Sequence, residues 1–396
     1  MAVIVQKYGG TSVGDAERIR AVARRVAVTR LAGHEVVVIV SAMGHTTDHF
    51  LDLSRQVSPN DHPREMDMLL TAGERISMAL LAMAIRDLGV EAVSLTGSQA
   101  GILTNTVHGR AEIEEVRAFR VKEHLDRGDV VIVAGFQGVS AVNKEITTLG
   151  RGGSDATAVA MASYLGADAC EVYTDVDGVF TADPRLVPEA RKLDEVSYDE
   201  MAEMAGAGAA VLMSRSVELG RRWGVPLHVR SSFHHGEGTW VRPATAGPPR
   251  LIGIAHDPDQ ALVGLAAEED AAVVAEALLA AAIPADTVGV GRDGAGAAVP
   301  RDQAAAAVAA LAARPGSGEV VLNEGVGKVS LVGAGVADRP DTVARAGEVL
   351  DAAGIPVLLT AATPLRLSSL VPAESLDEAV RVLHGVFFAP GPGGAR

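Results

Sequence analysis

The stretch Gly150-Arg151-Gly152-Gly153-Ser154-Asp155 puts an arginine, glycines and an acid within six residues. A guanidinium can grip a carboxylate through two parallel hydrogen bonds, and glycine backbone lets phosphate oxygens come close. Asp155 also opens a helix, so a plain N-cap role accounts for it equally. Lys7-Tyr8-Gly9-Gly10-Thr11-Ser12 lies where a strand gives way to a helix. Two adjacent glycines there allow backbone N–H groups to turn on a phosphate, and Lys7 supplies a point charge for a phosphoryl group in transfer. An ordinary Gly-Gly turn has the same composition, and the spacing of a Walker A loop is absent.

Three further segments carry candidate chemistry. Val40-Ser41-Ala42-Met43-Gly44 ends another strand, which puts Ser41, Gly44, Thr46 and Thr47 on the rim where open parallel sheets collect ligands. Thr71-Ala72-Gly73-Glu74-Arg75 sits inside a long helical pattern. A glycine there costs roughly 1 kcal/mol against alanine and so hints at a close neighbour. Glu74 is either a partner for an amino group or a solvated helix carboxylate. Tyr173-Thr174-Asp175-Val176-Asp177-Gly178 leads on to Asp183-Pro184-Arg185. Asp175 and Asp177 suit ribose or a metal, and Asx turns around Gly178 suit the same spacing. The eleven histidines show no metal-ligand spacing, so no metal site is assigned, and the single Cys170 excludes an intrachain disulfide.

The elements that must hold these residues alternate. Val3–Gln6, Val36–Val40, Ala92–Leu95, Val130–Ala134, Glu171–Thr174 and Leu227–Arg230 read as buried strands. Asp15–Arg30, Arg64–Leu88, Ile113–Arg127, Asp155–Leu165, Tyr198–Ala205 and Ser214–Trp223 read as helices between them. That order predicts an α/β fold with a mostly parallel sheet covered on both faces. Residues 234–250 read as a linker. An Ala-rich half follows, with strand–helix–strand patterns at 262–281 and 328–359, a strand at 366–370 and a helix at 376–383. Gly289–Val299 and Pro315–Glu319 read as loops and 390–396 as a disordered tail.

The net charge of −15 comes without a basic stripe, which argues against nucleic acid as a partner. The N-terminal run lacks a basic signal-peptide region, and no uninterrupted apolar run reaches the length of a span. A cytoplasmic protein without a membrane partner is expected.

Taken together, Lys-Tyr-Gly-Gly-Thr-Ser, Val-Ser-Ala-Met-Gly, Leu-Leu-Thr-Ala-Gly-Glu-Arg-Ile-Ser, Val-Ala-Gly-Phe-Gln-Gly, Thr-Thr-Leu-Gly-Arg-Gly-Gly-Ser-Asp and Tyr-Thr-Asp-Val-Asp-Gly-Val-Phe-Thr-Ala-Asp-Pro-Arg resemble the aspartate kinase branch of the amino acid kinase superfamily, in order and spacing. The resemblance covers about residues 1–233 and implies a three-layer αβα catalytic domain. It implies ATP with Mg2+ as cosubstrate and L-aspartate as acceptor. Lys7, Gly9 and Gly10 would cradle the γ-phosphate beside Tyr8, with Ser41 and Asp155 positioning phosphate, metal and Lys7. Glu74 would hold the amino group, and Arg151 with Thr47 the α-carboxylate. Thr174, Asp175, Phe180, Thr181, Asp183 and Arg185 would line the nucleotide pocket.

Residues 251–389 resemble, less closely, that family's paired and partly intertwined ACT domains, each an α+β (ferredoxin-like) unit. Val329-Ser330-Leu331-Val332-Gly333-Ala334-Gly335-Val336 matches well. Leu265-Ala266-Ala267-Glu268-Glu269-Asp270-Ala271 lacks the family's usual Pro and Gly. Asp341 replaces a usual Gly after Pro340, and Leu359-Thr360-Ala361-Ala362-Thr363-Pro364 replaces an effector-shaping stretch. Weak or absent inhibition by lysine and threonine is therefore expected. The last methionine is Met213, so an internal start for a separate small subunit is not expected and a homodimer through the ACT-like units is. A kinase of a modified amino acid and a non-catalytic amino-acid sensor are the competing readings. The retention of Lys7, Glu74, Arg151 and Asp155 speaks against the sensor.

Overall fold

The computed structural model describes residues 2–209, 211–244, 250–266, 270–291, 294–314, 318–334, 336 and 340–388. The expectations at Gly247-Pro248-Pro249, at Ala267-Glu268-Glu269, at 315–317, at Gly335 and in the tail from 390 lie outside those residues. Two compact units result. The first is Met1–Val179, Asp194–Tyr198 and Val211–Ala244, and the second is Phe180–Leu193, Asp199–Ala210 and Thr245–Arg396.

In the first unit β1 (Val3–Tyr8), α1 (Ala16–Leu31), β2 (Glu35–Val40), α2 (Thr46–Val57) and α3 (Pro63–Arg86) lead off. β3 (Ala92–Leu95), β4 (Ile102–Thr104), β5 (Ile113–Val116), α4 (Phe119–Asp126), β6 (Val130–Ala134), β7 (Gln137–Ser140) and β8 (Ile146–Thr148) follow. α5 (Gly153–Leu165), β9 (Ala169–Thr174), β10 (Glu195–Ser197), α7 (Ser214–Trp223), β11 (Leu227–Ser231) and β12 (Thr239–Arg242) complete it, whereas α6 (Tyr198–Gly206) belongs, after Tyr198, to the second unit. The main sheet has the order β10-β12-β11-β9-β1-β2-β6-β3 and is parallel except for the β11–β12 pair. Val36–Val40 and Val130–Ala134 are wholly buried, as β-branched runs covered on both faces must be. A smaller sheet, β5-β4-β7-β8, stands beside it.

α3 has the length and hydropathy of a membrane span, yet it packs against α1, β3, β6 and β8. Its buried face includes the polar Asp67, Thr71, Glu74 and Ser77, which need protein partners rather than lipid.

The second unit holds a six-stranded sheet, β14-β15-β13-β16-β18-β17. β13 (Leu251–Ala266) is followed by α8 (Ala271–Ala280), β14 (Thr287–Gly291), β15 (Gly294–Pro300) and α9 (Ala304–Ala312). β16 (Val320–Gly333), α10 (Pro340–Ala352), β17 (Leu359–Ala362), β18 (Arg366–Pro372) and α11 (Leu376–Phe387) complete the unit. β13 and β16 run through both halves of the sheet. One end serves a core around Val263, Val274 and Leu311, the other a core around Ile254, Leu350 and Leu383. Two α+β units thus share their central strands.

Three expectations are corrected. Residues 113–127 are a strand and a short helix rather than one helix: the Arg117 N–H donates to the Gly101 carbonyl, and any Cβ on Gly101 would lie 2.1 Å from the Arg117 carbonyl oxygen. Gly289–Val299 is mostly strand, because a Cβ at Gly264 or Gly296 would press on the neighbouring strand, so the pairing selects for small residues. Thr239–Arg242, inside the expected linker, pairs with β10 and β11, with the Thr239 hydroxyl buried and accepting from the Val179 N–H. Within the span expected for the catalytic domain, Phe180–Leu193 and Asp199–Ala210 fall in the second compact unit, where Ala182 and Val187 pack with Leu350 and Leu383. In addition, α2 was not foreseen: it buries none of its residues, so it leaves no core-facing periodicity to find.

Gly73 meets the neighbour that its helical position implied. A Cβ there would sit 2.6 Å from the Ala42 Cβ. Gly73→Ala should therefore lower stability by about 1–3 kcal/mol through overpacking. Gly347, exposed in α10 with nothing within 4 Å of a Cβ, is the control. Gly347→Ala should raise stability by roughly 0.5–1 kcal/mol. Urea denaturation followed by circular dichroism reads both signs.

Candidate active site

The register aligns the carboxyl ends of neighbouring strands: Tyr8 pairs with Val40 and Tyr173, Val40 with Ala134, and Tyr173 with Arg230. The turns that follow, at Gly9-Gly10, Ser41–Gly44, Gly135-Phe136 and Thr174-Asp175, therefore share one rim, where ligands of open parallel sheets collect.

These turns interlock. The Gly44 N–H donates to the Gly10 carbonyl at 3.0 Å, and a Cβ on Gly10 would lie 2.9 Å from the Ala42 carbonyl oxygen. The Ala42 N–H donates in turn to Glu74 Oε1 at 3.2 Å. Glu74 is 3% exposed, and its Oε2 is buried without a hydrogen-bond partner among the described residues. Desolvation pushes its carboxyl up to about 7, against the smaller opposing effect of the Ala42 N–H. A half-satisfied buried carboxylate of this kind is costly unless a donor or a cation arrives to complete it.

Lys7 projects from β1 to the side covered by α5, and its Nζ lies 2.7 Å from Asp155 Oδ1 in the first turn of that helix. Side-chain exposures of 12% and 10% make this a largely desolvated pair. It is not an aligned hydrogen bond, so the ammonium keeps donors for a third group. Gly135 admits α5 this close: its Cβ would lie 2.8 Å from Ser154 Oγ.

Arg151 is exposed and forms no ion pair among the described residues. It stands between Gly150 and Gly152, both at φ +71°, in a turn that needs glycine on each side. Ser41 and Thr47 are half-buried on the rim.

Tyr8 departs from the expected nucleotide contact. Its ring is fully buried and stacked on Tyr173 with centroids 4.6 Å apart, and its hydroxyl donates to Gln6 Oε1. Gln6 and Tyr173 both donate to Glu171 Oε2, and Arg230 donates to Glu171 Oε1 at 2.8 Å. Burial, then the neighbouring Glu171, holds the Tyr173 phenol up to about 12, so it stays a donor. This polar network fastens β9 under the rim and was not foreseen, since no spacing links residues 6, 171 and 230. Thr174 donates to its neighbour Asp175 on the exposed edge of β9.

Phe180, Thr181, Asp183 and Arg185 belong to the second unit. There Thr181 is buried, with its hydroxyl 2.9 Å from His384 Nε2 and accepting from the Arg191 N–H. Asp183 is hydrogen-bonded by the Arg185 guanidinium, which holds its carboxyl below the usual range. A further buried acid, Asp67, was also missed. It lies seven residues before Glu74 on α3, a spacing that marks one helical face.

Comparison with known proteins agrees with this geometry. Residues 2–231 match the model of the amino acid kinase family, and 329–387 that of an ACT domain. The aspartokinase of Mycolicibacterium smegmatis is 50% identical, the match covering 98% of this chain and 96% of that one. That of Thermus thermophilus is 44% identical over 98% and 99%. The structure of Escherichia coli aspartokinase III in complex with aspartate and ADP superposes with a TM-score of 0.81 at 26% identity, covering 97% of this chain and 99% of that one. The chain belongs to the aspartokinases of the amino acid kinase family.

Proposed function

We propose that the chain transfers the γ-phosphoryl group of ATP to the β-carboxylate of L-aspartate, giving 4-phospho-L-aspartate and ADP. The observation that carries the choice of acceptor is Glu74, a buried carboxylate with one oxygen left unpartnered beside the phosphate-type turns. An α-ammonium group completes it, whereas a neutral acyl-amino group could not balance its charge. The E. coli relative was solved with aspartate and ADP, which supports the same pairing of substrates.

In this reading Arg151 takes the α-carboxylate with two parallel hydrogen bonds, and Thr47 stands alongside. Held at both α-substituents, the amino acid directs its β-carboxylate along the rim. A β-carboxylate oxygen attacks the γ-phosphorus as the bond to the β,γ-bridging oxygen breaks, and ADP carries the electron pair away. The attacking carboxylate is already anionic, so no general base is required; positioning and charge neutralisation suffice. Lys7 neutralises charge on the transferring group, Asp155 orients Lys7, and the backbone of Gly9 and Gly10, with Ser41, seats the phosphate. Thr174 and Asp175 are assigned to the nucleotide. Tyr8 and Thr181 are left with at most backbone contacts.

Among the described residues no group of three or more His, Cys, Asp or Glu is gathered to hold a metal. Mg2+ would arrive on the ATP phosphates as part of the substrate, and Asp155 would help to position it.

Lys7→Ala should lower kcat by about 10²–10³ with KM for aspartate little changed, as removal of a transition-state contact does. Arg151→Ala should instead raise KM for aspartate by about 10–100-fold, the worth of hydrogen bonds to a charged group. Coupled ADP-release kinetics measure both. Wild-type constants in both variants would sink the assignment.

Glu74 gives a pH signature. Its carboxyl titrates near 7 in the free protein and must be ionised to take an ammonium group. kcat/KM for aspartate should climb as pH rises through about 7 and then level, a limb absent from Glu74→Gln. The same raised value means that the native state binds the extra proton between about 4.5 and 7. This contribution to stability is full below 4.5 and is lost as pH rises through 7.

The altered Leu359–Pro364 stretch supports weak or absent feedback inhibition, and the ACT-like units support a homodimer. Light scattering at micromolar concentration, with activity measured with and without millimolar lysine plus threonine, should give a dimer mass and undiminished rates. A monomer mass or strong inhibition would contradict the corresponding proposal.

A further inference from the structure

We propose that Asp67 is a positioning residue that fixes the distance between Glu74 and Arg151, and so sets the length of amino acid the site accepts. This rests on the assignment of those two residues to the substrate's α-ammonium and α-carboxylate.

Asp67 is fully buried on α3, two helical turns before Glu74 and on the same face. Its carboxylate is saturated from two separate segments. Oδ1 accepts from the Gly109 N–H at 3.0 Å and from the Thr148 hydroxyl at 2.5 Å, and Oδ2 lies 2.6 Å from His108 Nδ1. Both segments lead to Arg151. Thr148 ends β8, three residues before it. The 108–111 loop lies against the turn itself: a Cβ on Gly150 would be 3.1 Å from the Gly109 carbonyl oxygen, and the Ala111 N–H donates to the Thr148 carbonyl at 2.8 Å. Arg215 fastens the same contact by donating to the Leu149 and Ala111 carbonyls.

Arg151 has no side-chain ion partner among the described residues, so only its backbone turn fixes where its guanidinium stands. That turn is built on left-handed glycines at 150 and 152 and would otherwise be pliant. A purely structural acid would tie α3 to any convenient neighbour. This one ties the helix that carries Glu74 to the turn that carries Arg151. Fully buried carboxylates are expensive unless each oxygen is satisfied, so the tie is stiff and loses its geometry when one donor is removed.

The test is steady-state kinetics of the full-length chain in Thr148→Val, Thr148→Ser and His108→Gln, each checked for folding by its melting curve. Thr148→Val and His108→Gln should each raise KM for aspartate about tenfold while KM for ATP stays within about twofold, as the loss of one charge-assisted hydrogen bond acting on only one substrate would. Thr148→Ser keeps the hydroxyl and should restore the wild-type value. Two variants from different segments keep the test open if one does not fold. An unchanged KM for aspartate, or equal rises in both KM values, with Arg151→Ala still impaired for aspartate, overturns the role of Asp67 and leaves the kinase reading standing. If Arg151→Ala and Glu74→Gln also bind aspartate normally, the kinase reading fails, and this inference with it.

Discussion

Ala42 is wedged between two glycines, and the arrangement of the site follows from how little room it has. Its carbonyl oxygen would lie 2.9 Å from a Cβ on Gly10, and its own Cβ 2.6 Å from a Cβ on Gly73. Its N–H holds Glu74. One residue thereby brings the phosphate-type turn after β1, the turn after β2 and the helix α3 to within van der Waals contact. Close packing of this kind transmits position without flexible side chains, because dense interiors resist small displacements. The price is that neither glycine can be replaced cheaply.

Charge is arranged around that wedge by solvation. Lys7 and Asp155 are paired and nearly dry, Glu74 is dry and half-satisfied, and Arg151 is wet. A desolvated site strengthens every electrostatic contact made in it, which is what phosphoryl transfer to a carboxylate demands, since the chemistry is mainly the management of negative charge. The Tyr8–Tyr173 stack and the Gln6–Glu171–Arg230 network stand below the rim and supply rigidity rather than ligands. Asp67 performs the corresponding task on the side of the amino acid.

Much of this was legible in the sequence where function constrains short segments. The strands with unbroken Val and Ile runs, the Gly-rich turns and the anomalous helical glycine at 73 were found from residue type and spacing, whereas Glu74 took its role from the family resemblance. What was missed has physical causes. β15 is built largely of Gly and Ala, where a Cβ on Gly296 would crowd the neighbouring strand, and so carries no apolar alternation to detect. Ile113–Val116 pairs in a sheet through a contact with Gly101 that periodicity cannot anticipate. Tyr8 stands inside the Gly-rich segment at the end of β1 but faces the core, as its stacking on Tyr173 requires. The seven-residue spacing puts Asp67 on the face of Glu74, but the groups that satisfy it stand about forty to eighty residues away and show only in three dimensions.

The account turns on Glu74 being a buried carboxylate that waits for an ammonium group. The most direct measurement is its ionisation by NMR, with 13C-labelled glutamate and Glu74→Gln as the assignment control, in the free protein and with saturating aspartate. The predicted result is titration near 7 when free and a clear downward shift when aspartate binds, as a cation within hydrogen-bonding reach produces. A value near that of an ordinary glutamate in the free protein, or one unmoved by aspartate, would contradict it.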